Sequence, residues 1–376
     1  MKYYENDGVN DYYPLVCHDL MEMGHVTKPR DLETRELHPT SVVISNPRHR
    51  LVTSVGRTLN LPFALAEVVQ ILGGINDAQA LRYYNTKIID IAGDGDRTKD
   101  NWQDGVTRFN AAYGERLRAF DGPSEPVDQL RHVIETLKKD HDSRQASIVL
   151  SHPFWDNYTA ETRDRACNVY AHAMIRDGKL DWMQVMRSND VILGLPYNFC
   201  QWLHVMEYVA NRVRVPMGKY TLIQDSLHVY QDHYDECRGI AEFDIYAYRK
   251  SRPLLPMPMY SDDEFRENVI QWEEWIRTGG SSPIVRGEDQ NDNYWYQVVC
   301  VFNSFASFKQ GKDEMAYKLL PSNWELRQPL LRDYVAWRWH KPDYAAYLKC
   351  AMEEMEAFYL GHTTGRWLGV PAYARS

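Results

Sequence analysis

The dipeptide Asp177-Gly178, set between the apolar runs 169–175 and 180–186, constrains this chain more than any other feature. Asp-Gly accepts the positive φ angles that a two-residue hairpin turn needs, and strand-like runs on both sides make it the strongest short-range hairpin signal. The hairpin places Cys167 just before its first strand and Arg187 at the end of its second. A thiol facing an arginine can hold an anion beside a nucleophile.

The chain has six cysteines (Cys17, Cys167, Cys200, Cys237, Cys300 and Cys350) with no CxxC pair and no clustering. With no secretory leader pattern at the start, these read as free thiols in a reducing cytoplasm, neither a disulfide framework nor a metal site. Cys200 falls in a helical pattern with Phe199, Leu203, Met206, Val209 and Val213 and reads as a small core hydrophobe. Cys167 differs because Arg163, Asp164, Arg165 and Asn168 crowd it. Nearby cations are expected to lower its pKa and raise its thiolate fraction.

At 376 residues and 44% hydrophobic content the chain can bury a full core. A net charge of −9 without a basic run argues against polymeric nucleic acid as the main partner. No apolar run approaches the ~20 residues of a membrane-crossing helix. Gly93-Asp94-Gly95-Asp96 is acidic and reads as a turn, not a phosphate cradle. No H-x-E…P-C-x-x-C pattern suggests a zinc-dependent deaminase.

Upstream, the segment 65–74 reads as an apolar helix ending in glycine. Glu67 sits there among aliphatic residues, where a carboxylate is costly unless paired or protonated. Desolvation would raise its pKa and make it a proton carrier; the alternative is a Glu on a solvated helix face. His228 and Tyr230 alternate on the strand pattern 220–230, so both face one side.

Cys167-Asn168, the hairpin, Arg187-Ser188-x-Asp190, Leu193-Gly194-Leu195-Pro196-Tyr197-Asn198 and His228-x-Tyr230, in this order and spacing, resemble the thymidylate synthase family. That family includes the pyrimidine-nucleotide hydroxymethylases of phages and nucleoside-antibiotic pathways. The resemblance is dense over 165–230 and thinner over 35–256. It implies a homodimer with shared active sites, a pyrimidine nucleoside monophosphate as substrate and 5,10-methylenetetrahydrofolate as one-carbon donor. Cys167 would add to C6 of the pyrimidine. Arg187 and Ser188 would bind the phosphate, with Arg144 reaching it from the other subunit and Arg35 as a looser match. The family usually has two arginines in tandem at Arg144; here the second is Gln145. Surface roles for Arg35 and Arg144 remain open.

By the same resemblance, Glu67 would be the general acid/base and Tyr113 of Tyr113-Gly114 would assist proton removal at C5. His228 and Tyr230 would bind the sugar, and Asp190 the folate pterin. Asn198 would read the base. Its amide suits uracil, and members acting on cytosine nucleotides typically carry Asp there. Asn168 stands where methylating members have His, which weakens the uracil assignment, so dCMP or CMP stays open. Ile89 and Ala92 occupy positions that are tryptophan in methylating members. Without that shield, water can reach the C5 methylene, which favours hydroxymethylation of dUMP over methylation. A catalytically silent nucleotide-binding homologue is the reading from another class.

Ser261 to Glu264 forms a capping box that opens a helix with Phe265, Val269, Trp272 and Ile276 on one face. A Gly- and Ser-rich linker over 278–286 follows, and helical patterns cover 293–309, 324–339 and 342–360. The expected organisation is a catalytic domain over 1–277 and a helical C-terminal extension over 288–376. The extension reads as a packing or dimer-stabilising annex, or as a lid or docking surface. The expected fold class is α/β (α+β): a mixed sheet flanked by helices.

Overall fold

A computed structural model describes residues 1–52, 59–88, 107–158, 164–246, 256–280 and 294–312. Ile89, Ala92, Gly93 to Asp96, Arg163, Cys350, most of the 278–286 linker and the helical patterns 324–339 and 342–360 lie outside the described residues.

The Asp177-Gly178 hairpin is present. Asp177 (φ 51°) and Gly178 (φ 71°) both take positive φ, the turn whose twist matches flanking strands. They join β6 (Asn168–Arg176) to β7 (Lys179–Met186). Alternation buries one face of each strand, and the register sets small against large: Ala173 opposite Trp182, Ala171 opposite Gln184.

This hairpin sits within a six-stranded mixed sheet of order β1-β4-β9-β7-β6-β5. Its other strands are β1 (Lys2–Asn6), β4 (Thr40–Ile44), β5 (Ser147–Val149) and β9 (Met217–Gln224). A four-stranded sheet, β2-β3-β10-β8, comprises β2 (His25–Thr27), β3 (Thr34–Leu37), β8 (Asn189–Asp190) and β10 (Leu227–Tyr230). The single strand expected over 220–230 is therefore two strands in two sheets. The break has a hydrogen-bond cause: the Asp225 N–H donates to the Met186 carbonyl at 2.8 Å, and the Asn189 N–H to the Ser226 carbonyl at 2.8 Å. Asp225-Ser226 thus leaves β9 and carries the chain to the second sheet beside β8.

Helix α1 (Val9–Met23) and the central helix α6 (Leu195–Val213) share one face of the large sheet. Between them Tyr12 meets Phe199 edge-on at 5.9 Å, and Phe199 meets Tyr220 at 6.3 Å. Pro196 fits the first turn of α6, where its missing N–H costs nothing. Helix α2 (Leu61–Gly73) packs on α6, with Asn60 as its N-cap and Gly74 (φ 69°) closing it. The shorter α3 (Ala78–Tyr84) and α4 (Tyr113–Arg118) pack on α2, α5 (Gln129–Lys139) packs on α6, and α7 (Tyr234–Tyr246) packs on α1.

The capping box forms as expected: Ser261 N–H donates to Glu264 at 2.7 Å and Glu264 N–H to Ser261 Oγ at 3.2 Å. It opens α8 (Asp262–Phe265), which runs through a wide turn into α9 (Gln271–Arg277). Helix α10 (Tyr294–Lys309), assigned from sequence to the extension, packs into the same core. Its Tyr294 hydroxyl bonds His204 of α6, and its ring stacks 5.3 Å below the buried Arg50, which pairs with Glu207.

Candidate active site

The first turn of α4, the entry to β6 and the exit of β7 converge on Cys167. It is half-buried, whereas the other described cysteines are buried. The Tyr113 hydroxyl accepts two backbone N–H bonds, from Cys167 at 3.1 Å and Asn168 at 3.0 Å. Both acceptor sites of the phenol are then filled, so what it retains to offer a ligand is its proton. Burial raises the Tyr113 pKa, which keeps that proton in place.

Arg187 is fixed by carbonyls of the same segment: Nε to Ala166 at 2.9 Å and Nη2 to Arg165 at 3.3 Å, with Nη2 also 3.8 Å from Cys167 Sγ. Behind it a buried bidentate pair, Arg116 and Asp156 (2.7 and 2.9 Å), anchors the strand entry, because Asp156 also accepts the Ala166 N–H. The Cys167 pKa runs opposite to the expectation from its nearby cations. Burial is the largest influence and pushes the thiol up, Asp164 and Asp156 add to it, and Arg187 and Arg30 offset only part. Asp164 itself is pushed up to about 6 by burial.

Glu67 lies on α2 with one carboxylate oxygen, Oε2, buried and without a hydrogen-bond partner among the described residues. Burial pushes its pKa up to about 8, against a hydrogen bond from Gln201 of α6. A carboxyl of that pKa can both hold and release a proton near neutrality. Cys200, by contrast, is pushed up to about 12 by burial beside the Ala64 carbonyl, which leaves it inert as a nucleophile.

Asn168 and Asn198 are directly linked: Asn168 Nδ2 donates to Asn198 Oδ1 at 3.2 Å. One residue therefore ties the backbone beside Cys167 to the carboxamide on the first turns of α6. His228 and Tyr230 share a face of β10, their rings edge-on at 5.2 Å. Asp190 is the parallel partner of His228; its Oδ1 accepts from Ile192 N–H and Leu193 N–H at 2.7 and 2.8 Å. Asp190 Oδ2 is buried with no partner among the described residues, and burial raises the carboxyl pKa. That orphan acceptor fits a ligand bearing N–H donors, as a pterin does. Ser188 is half-buried beside Arg187 at the exit of β7.

Two arginines are not brought to this cluster within one chain. Arg35 is the cross-strand partner of Val229, so it takes the face opposite His228 and Tyr230. There it donates to the Met21 carbonyl and lies over the Tyr234 ring. Arg144 is exposed, its carbonyl bonded to His172. His172 is five residues along β6 from Cys167, roughly 17 Å at ~3.3 Å per residue.

Besides Arg187, a cation that does arrive is Arg30, which sequence reasoning missed. Its Nη2 reaches the Tyr230 hydroxyl at 3.3 Å, and its charge acts on Cys167. Arg30 and Asp31 adopt positive φ (53° and 63°), a conformation uncommon outside glycine. Also missed were the buried amides Gln184, Asn189 and Gln224. Gln184 carried a signal: it falls on the apolar period of its strand, and a buried amide requires partners.

With this geometry in view, the sequence profile described as Thymidylate synthase matches residues 11–250. The chain belongs to the thymidylate synthase family. It is 36% identical over 229 residues to a deoxyuridylate hydroxymethyltransferase of Bacillus phage SP01, covering 59% of this chain and 57% of the relative. To the protein of the same name from Pseudomonas phage M6 it is 32% identical over 211 residues, 54% of each. A putative thymidylate synthase of Methanosarcina acetivorans is 35% identical over 134 residues, 36% of this chain and 59% of the relative. The chain thus spans little more than half the length of these relatives. Helix α10 lies beyond the thymidylate synthase match.

Proposed function

We propose that this chain catalyses hydroxymethylation of dUMP at C5, with 5,10-methylenetetrahydrofolate as the one-carbon donor. The observation that carries the reading is the Tyr113 hydroxyl bridging the Cys167 and Asn168 amides while the Asn168 side chain meets Asn198. It joins a nucleophile, a phenolic proton and a base-reading amide in one rigid unit. The relatives named deoxyuridylate hydroxymethyltransferase support the uracil nucleotide and the hydroxymethyl product. Ile89 and Ala92, in place of the tryptophans of methylating members, support the same product.

In this reading Cys167 bonds to C6 of the pyrimidine, which makes C5 nucleophilic, and leaves again once the new substituent is in place. The folate would supply a carbon at the formaldehyde oxidation level and water the hydroxyl oxygen, and Asp190 Oδ2 would hold the pterin. Glu67, poised near neutrality, relays protons. Tyr113 assists removal of the C5 proton as a donor, its O–H held toward the ligand, and is not itself the base. Arg187, Arg30 and Ser188 hold the phosphate, His228 and Tyr230 the sugar. Arg144, too far from its own Cys167, would serve the partner subunit of a homodimer.

The test is release of tritium from 5-tritiated dUMP. Release that depends on methylenetetrahydrofolate and vanishes in Cys167→Ser supports the reading. Folate-independent release, or none, contradicts it.

A further inference from the structure

The Asn198 carboxamide is one member of a directional chain of buried amides that begins at an indole. Trp182 Nε1 donates to Gln184 Oε1 at 3.1 Å, and Gln184 Nε2 donates to Asn168 Oδ1 at 2.9 Å. Asn168 Nδ2 then donates to Asn198 Oδ1 at 3.2 Å, and Asn198 Nδ2 to Asn189 Oδ1 at 3.1 Å. Beyond the site, Asn189 Nδ2 donates to Gln224 Oε1 at 2.8 Å. Gln224 Nε2 ends the chain on two hydroxyls, Tyr12 at 3.2 Å and Thr40 at 3.1 Å. Apart from the half-buried Asn198, every member is buried.

The two ends are not equivalent. Hydroxyls donate and accept, so Tyr12 and Thr40 would tolerate either orientation of Gln224. An indole N–H only donates, so the end at Trp182 admits a single orientation of Gln184. Each amide then dictates the next, because reversing one member sets donor against donor on one side and acceptor against acceptor on the other. Asn198 is left with one acceptor site on Oδ1 and one N–H on Nδ2 for a ligand. Uracil offers N3–H and O4, which match that pair. Cytosine offers N3 as acceptor and N4–H₂ as donor, which require the amide reversed.

We propose that Trp182, acting through Gln184 and Asn168, sets the polarity of Asn198 and thereby makes this site select uracil over cytosine. Trp182 and Gln184 are positioning residues: the bonds they make are to other side chains of the chain, and their effect on the base passes through Asn168. The inference rests on the reading of this site as one for a pyrimidine nucleotide. It adds a discriminator of base identity about which the hydroxymethyl product says nothing. Reversing Asn198 alone against the intact chain sacrifices two buried hydrogen bonds, each worth on the order of tenfold in an equilibrium constant.

The test is binding of dUMP and of dCMP, by calorimetry on the full chain without folate. Wild type is expected to prefer dUMP. Trp182→Phe keeps an aromatic ring but removes the donor, so the whole chain of amides can reverse together. The dUMP:dCMP affinity ratio should fall by about tenfold or more, with dCMP binding improved. A merely structural role would weaken both nucleotides alike and leave the ratio unmoved. Gln184→Met, which cuts the chain one link later, decides the matter by the same ratio if Trp182→Phe does not fold. A folded variant that keeps the wild-type ratio while wild type prefers dUMP overturns the relay and leaves the proposed function standing. A wild type that prefers dCMP overturns both the relay and the choice of dUMP. Because binding is read without turnover, failure of the hydroxymethyl chemistry shows up separately, in the product.

Discussion

The Tyr113 hydroxyl accepts the backbone N–H of Cys167 at 3.1 Å and holds the Asn168 N–H at 3.0 Å with its other acceptor site. The phenol therefore fixes the main chain at Cys167, the proposed nucleophile, and presents only a proton to a ligand. Tyr113→Phe leaves two N–H groups unpaired, at a cost of about 1–3 kcal/mol for each that is buried. Turnover should fall by about 10² or more, since a positioned proton carrier is lost as well. Chemical denaturation and steady-state kinetics on the same preparation check both effects.

The thiols separate by environment. Cys167→Ser should abolish turnover while nucleotide affinity stays nearly unchanged, because Arg187 is anchored by backbone carbonyls and not by the sulfur alone. Cys200→Ser should leave kcat intact. Loss of activity in Cys200→Ser at unchanged folding would contradict the assignment of Cys167.

Arg30 and Arg35 give opposite expectations. Arg30→Ala should raise the KM for the nucleotide by about tenfold or more, the effect of one charge-assisted hydrogen bond. Arg35→Ala should leave KM alone and reduce stability, since its guanidinium bonds the Met21 carbonyl on the far face of the sheet. Kinetics of the two variants, compared with their thermal midpoints, distinguish the roles.

Glu67 links stability to pH. Its folded pKa, about 8, lies above the ordinary 4.5, so the folded state holds this proton more tightly than the unfolded chain. The contribution is fully present below about 4.5 and is lost as pH rises through about 8, with a slope of up to about 1.4 kcal/mol per pH unit. Glu67→Gln removes the titrating group, so its stability should fall less steeply than wild type between those limits. Urea midpoints measured across that range check it.

Local features were legible in the sequence. Asp177-Gly178 marked the hairpin, Ser261 with Glu264 marked a helix start, and the order of motifs from Cys167 to Tyr230 marked the family. What escaped depends on long-range geometry. The face on which Arg35 lies follows from its register with Val229, which its own segment does not contain. Arg30 reaches Tyr230 across 200 residues of sequence, from a turn with positive φ. Sequence alone points the Cys167 pKa the wrong way, because charge is visible in it and burial is not, and burial outweighs Arg187. The amide chain joins residues from five strands and helices, so no window of sequence contains it.

The most direct measurement is the mass of the nucleotide formed from dUMP and methylenetetrahydrofolate. A gain of CH₂O, a hydroxymethyl group at C5, is expected, with no such product from Cys167→Ser. A gain of CH₂ would mark a methylating enzyme and contradict the proposed hydroxymethylation.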